Sequence, residues 1–113
     1  MDVRTDALRA LLNLSKPIED IATTLSRVDW DSDELVIIEI SHIGKILKRY
    51  ISGELNESII ENWANAIECR DDIGLSEEAK NVIAALIHEL ANPDLTQKLT
   101  PERAKALIRS LEE

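Results

Sequence analysis

The sequence predicts a mainly all-α fold, a single domain over residues 1–113 built as a compact bundle of about six short helices. Three observations carry that expectation. Aromatic residues make up only 3% of the chain and phenylalanine is missing, so the core has to be assembled from Leu, Ile, Val and Ala. Gly and Pro number only 3 each, and such a composition favours helices. Apolar residues also recur at three- and four-residue spacing through most of the chain. With 113 residues there is material for one core and too little for two.

The first helix is expected from Thr5 to Leu14, with Leu8, Leu11 and Leu12 inward. Pro17 suits the first turn of a second helix, which Ser15 is placed to cap and which runs to about Arg27. Its inward set is Ile18, Ile21, Ala22, Leu25 and Val28. The β-branched run in Glu34–Ile40 is read as extended, with Leu95–Leu99 as its best strand partner; the start of the third helix is the rival reading.

Ser41 is a good cap for a third helix through about Ser52, with Ile43, Ile46, Leu47, Tyr50 and Ile51 on one face. Gly53 follows where a left-handed residue closes a helix. Asn56 then caps a fourth helix, with Leu55 and Ile60 spaced as a hydrophobic staple. That helix buries Ile59, Ile60, Trp63, Ala64 and Ile67, ends at Cys69 or Arg70, and is followed by a turn closed by Gly74. Ser76 is read as the cap of a fifth helix, which is apolar nearly all round from Ala79 to Ala91 and so expected at the bundle centre. Thr100-Pro101 opens the last helix, with Ala104, Leu107, Ile108 and Leu111 as its stripe.

Charge excludes some partners. With 13 basic against 22 acidic residues the net charge is -9, which opposes a phosphate backbone and an anionic membrane surface and suits a basic protein. One cysteine builds no disulfide framework, and the first residues lack the pattern of a signal peptide. A cytoplasmic location is the corresponding expectation.

Motifs for chemistry fail on specific residues. Asp29-x-Asp31-x-Asp33 opens like a calcium loop, but Glu34 and Ile40 stand where the loop needs its Gly and its bidentate Glu. His88-Glu89 opens like a zinc-protease helix, but Asn92 replaces the second histidine. Cys69 has Arg70 beside it but acidic neighbours and a helix C-terminus against thiolate formation, so it reads as a small buried hydrophobe. No catalytic, cofactor-binding or metal-binding residue is assigned.

One surface feature remains. Glu57, Glu61, Asn65 and Glu68 share one side of the fourth helix, and Arg70, Asp71 and Asp72 extend it. The strip reads either as a dock for a basic partner or as an ordinary solvated face. Lys45, Lys48 and Arg49 on the third helix offer it an intramolecular match.

The segments Gly53-Glu54-Leu55, Trp63-Ala64-Asn65, Glu68-x-Arg70-Asp71-Asp72-Ile73 and Glu89 to Ala104 resemble a family of small bacterial all-helical proteins of uncharacterised function. The resemblance covers roughly residues 41–111 and implies a bacterial, self-standing domain, with no activity attached. In size, charge and helix content the chain also resembles acidic toxin-immunity proteins; their tyrosine-pair motif has no counterpart, since Tyr50 is the only tyrosine.

The resulting expectation is a non-enzymatic interaction domain, immunity-like in one version, that binds a basic partner through Glu57, Glu61, Asn65, Glu68, Arg70 and Asp71. Two alternatives stand beside it. One is a metal-dependent enzyme holding magnesium at Glu68, Asp71 and Asp72. The other is a homo-oligomer paired through the 34–40 run.

Overall fold

A computed structural model of the chain describes residues 3–26, 36–68, 70 and 73–112. Val28, Trp30, the Asp29–Asp33 acidic run, Cys69, Asp71 and Asp72 lie outside the described residues. Among the described residues the order is α1 (Val3–Asn13), α2 (Ile18–Leu25), β1 (Val36–Ile38), α3 (Ile40–Ile51), α4 (Glu57–Glu68), β2 (Ile73–Leu75), a 3₁₀ turn (Glu77–Ala79), α5 (Lys80–Ala91) and α6 (Pro101–Glu112). The fold is mainly α-helical, as its composition leads one to expect, with one small sheet.

That sheet corrects the pairing expected from sequence. Val36–Ile38 is extended, with Val36 and Ile38 buried and Ile37 45% exposed. Its partner is Ile73–Leu75, not Leu95–Leu99, and the two strands run parallel with Val36 opposite Ile73 and Ile38 opposite Leu75. Parallel strands need a long crossover; here α3 and α4 together supply it. Gly74 therefore lies within a strand instead of closing a turn.

Helix ends explain most of the remaining differences. Gly53 has φ 91°, and its N–H donates to Tyr50 O while that of Glu54 donates to Arg49 O, the paired bonds of a Schellman motif. The C-terminus of α1 has the same pair, Leu14 N–H to Leu11 O and Ser15 N–H to Ala10 O, with Leu14 at φ 45°. A non-glycine residue is rarely found there, and Leu14 is held in place by burial.

Asn56 Oδ1 accepts the Ile59 N–H at 2.9 Å, so that cap stands as read, and Thr100 Oγ1 accepts the Arg103 N–H at 3.1 Å at the start of α6. The three serine caps do not stand as read. Pro17 occupies the cap position of α2, its carbonyl accepting from Asp20 and Ile21, and Ser15 lies before it. Glu39, not Ser41, occupies the cap position of α3, and His42 at the third helical position completes a capping box by accepting the Glu39 N–H on Nδ1 at 2.9 Å. Ser76 leads into the 3₁₀ turn, so α5 begins only at Lys80.

The centre of the bundle is α4, not α5. Helix α4 packs against α1, α2, α3 and α5, and its Trp63 and Ala64 are 0% exposed. Trp63 Nε1–H donates to Leu11 O at 2.7 Å, tying α4 to the last turn of α1. Helix α5 buries Ile83, Leu86, Ile87, Leu90 and Ala91 but leaves Ala84, Ala85 and Val82 in solvent, Val82 by 48%. Its outer face is small and apolar without being enclosed. Ala22 of α2 is likewise exposed rather than inward.

The Glu39–His42 cap carries a pH dependence. Burial lowers the His42 pKa below 6.5, with Lys45 lowering it further and Glu39 opposing both. Nδ1 accepts a hydrogen bond, so the neutral ring is the folded form. The unfolded chain then binds the proton more readily, and stability rises with pH. This contribution is complete above pH 6.5 and is lost as pH falls through the lower folded value. Urea midpoints from pH 8 to 5 are expected to fall for the wild type relative to a His42→Asn variant; parallel curves would refute it.

Candidate functional site

Burial of Ile60, Trp63, Ala64 and Ile67 fixes the phase of α4, and Glu57 and Glu61 line a groove with the end of α5 and the segment after it. The two carboxylates line an open groove of about 250 Å³ with Ile60 between them, Glu89 and Leu90 from α5, and Pro93, Asp94, Gln97, Lys98 and Leu99. Ile60, Leu90 and Leu99 are buried members of the core, so the groove has an apolar floor and a largely acidic rim.

The wall formed by the segment after α5 is fixed by its own hydrogen bonds. Leu95 and Thr96 N–H groups both donate to Asn92 O at 3.0 Å. Thr96 Oγ1 donates to Asn92 O at 2.8 Å and, in the alternative orientation of its hydroxyl, to Glu89 O at 3.0 Å. Leu95 is 79% exposed at this turn, the most exposed of the large apolar residues described.

The rim charges differ in how they are held. Glu89 accepts both Nε–H and Nη2–H of Arg103, at 3.0 and 2.7 Å, a bidentate pair that ties α6 to α5. Hydrogen bonding to Glu89 raises the Arg103 pKa still further, so the cation is permanent. Glu57 Oε1 accepts the Tyr50 hydroxyl at 3.0 Å. Burial, this bond and the charges of Glu57 and Glu102 push the Tyr50 phenol up to about 12. Neither Glu61 nor Asp94 has a salt bridge among the described residues.

The remainder of the strip divides. Asn65 Nδ2 donates back to Glu61 O at 3.0 Å, within its own helix. Glu68 is engaged on both oxygens: Oε2 meets His88 Nδ1 at 3.1 Å and Oε1 accepts from Asn92 Nδ2 at 3.3 Å. Arg70 lines a separate groove of about 260 Å³ with Ile67, Ile73, Leu75, Ala84 and Ile87, reached also by Glu68. Asp71 lies outside the described residues. Of the six residues singled out from sequence, Glu57 and Glu61 thus share one groove, while Asn65 and Glu68 are turned to intramolecular bonds and Arg70 lines another surface.

The match between the α3 basic patch and the acidic helix is not what the structure shows for Arg49. Its Nε pairs with Glu54, and its Nη1 donates to Asn13 O at 3.0 Å and Leu14 O at 3.1 Å. Sequence reasoning missed Glu89, Asp94 and Lys98 as neighbours of the strip. Their only signal was Asn92-Pro93, which stops α5 and turns the chain back along α4. Among the described residues no three His, Cys, Asp or Glu side chains converge as metal ligands, and no helix is long and apolar enough to cross a membrane.

No family model, curated protein or solved structure matches the chain.

Proposed function

We propose that this chain is a non-enzymatic protein–protein interaction domain that binds a basic partner on the side of α4 carrying Glu57 and Glu61. The observation that carries the reading is the convergence of Glu57, Glu61 and Asp94, from two separate segments, on one open groove. A net charge of -9 adds long-range attraction for a cationic partner. The fixed 92–96 turn keeps the ordering cost of binding low. An immunity-like role is one form of this reading, in which the basic partner is a toxin.

A titration of the ¹⁵N-labelled protein with an arginine-rich peptide tests it. Saturable shifts are expected at the amides of α4 and residues 92–99, weakening as salt rises. Glu61→Lys is expected to weaken binding by about tenfold. Shifts that do not saturate, or that spread evenly over every acidic surface, would remove the reading.

A further inference from the structure

The groove beside α4 also indicates what kind of segment fits it. We infer that it takes an arginine or lysine side chain next to an apolar residue in an extended segment of the partner polypeptide. The inference rests on the interaction reading above and narrows it to one chemistry.

The cation follows from the rim. Glu61 on α4 and Asp94 after α5 both line the groove, and neither has a salt bridge among the described residues. Glu89, by contrast, is already neutralised by Arg103, and Lys98 is the one basic residue among the described residues that line the groove. The long aliphatic stem of an arginine or lysine matches the floor of Ile60, Leu90 and Leu99, since such side chains lay their methylenes on apolar surface and keep the charge at the rim. A small anion meets the opposite of what it needs there, and a purely apolar ligand would bury the carboxylates without a partner.

The apolar neighbour follows from Leu95. It is 79% exposed at the turn between Asp94 and Gln97, both of which line the groove. The hydrogen bonds of Thr96 and Asn92 hold that turn, so Leu95, which does not itself line the groove, is fixed in the chain next to Asp94, which does. A residue flanking the anchored cation covers it.

The test uses the full chain and a short acetylated Leu-Arg-Leu-type peptide of net positive charge. Two partners serve for comparison: the same peptide with citrulline for arginine, which keeps the shape and removes the charge, and one with serine for leucine. Binding is followed by ¹⁵N shifts. The citrulline peptide is expected to bind about tenfold more weakly. The serine peptide, and Leu95→Ser in the protein, are each expected to lose about fivefold. Glu61→Gln and Asp94→Asn are each expected to lose about threefold, in line with exposed charge pairs, while Glu78→Gln on the 3₁₀ turn changes nothing. Equal binding of the arginine and citrulline peptides would overturn the inference, as would indifference to Leu95→Ser. Saturable binding with shifts centred on the groove but indifferent to Leu95→Ser would overturn the inference and leave the broader interaction reading standing, whereas saturable binding centred away from α4 and residues 92–99 would remove both. No saturable binding by any basic peptide would remove both.

Discussion

Replacing Trp63 by alanine is expected to cost about 3–5 kcal/mol, the range for large-to-small changes at fully buried aromatic positions. The side chain is 0% exposed on the helix that packs against α1, α2, α3 and α5, so the vacated volume opens where those elements meet. The loss has a second part. Trp63 Nε1–H is donated to Leu11 O, and that carbonyl retains only the Leu14 N–H when the indole is gone. Against a total stability of about 5–15 kcal/mol for a domain of this size, this is a large share of the margin. Trp63→Phe keeps most of the apolar contact and loses only the hydrogen bond and part of the volume, for a cost of about 1–2 kcal/mol. Urea unfolding followed by circular dichroism checks both. Equal losses for Phe and Ala would show that the indole N–H, not the packing, dominates.

What the sequence reveals about this core is the identity of the inward faces. Periodicity picks out Leu8, Leu11, Ile43, Ile46, Leu47, Ile60, Trp63, Ala64, Ile67 and Ala104, and all are buried. What it does not reveal is which helix the others surround. Ala84 and Ala85 look like interior residues by composition, yet alanine is small enough to sit in solvent at little cost, so an apolar helix need not be enclosed. The strand partner was hidden for another reason. A parallel pair of three-residue strands leaves almost no local pattern, and Gly74 is commoner in turns than in sheets.

The candidate site was half legible for a related reason. Spacing of three and four places Glu57 and Glu61 on one side of a helix, because helical geometry is local. Nothing local says what faces that side. Asp94 and Lys98 come to it only because Asn92-Pro93 ends α5, and the backbone and hydroxyl bonds of Asn92 and Thr96 fold the segment back. The same spacing put Glu68 on the strip, but His88 and Asn92 were invisible as its partners from a single helix.

The second large effect is expected at Arg49, a residue that spacing alone placed in a basic surface patch. Its backbone carbonyl accepts the Glu54 N–H that closes α3, while its guanidinium donates to Asn13 O and Leu14 O at the end of α1. Helix C-termini leave carbonyls without intrahelical donors, and those of α1 follow a turn that already holds Leu14 at φ 45°. Arg49→Ala removes a cation from a helix C-terminus and two charge-assisted bonds, one of them part-buried, for a loss of about 2 kcal/mol. Lysine does not rescue it fully, because a single ammonium cannot reproduce a planar fork that bonds Glu54 from Nε and the carbonyls from Nη1. Glu54→Gln, which breaks only the exposed ion pair, is expected to cost less than about 1 kcal/mol. The decisive measurement is hydrogen exchange at Leu14 and Ser15, whose N–H groups close α1. Faster exchange there in Arg49→Ala than in Glu54→Gln assigns the energy to the α1 terminus; the same exchange in both assigns it to the ion pair.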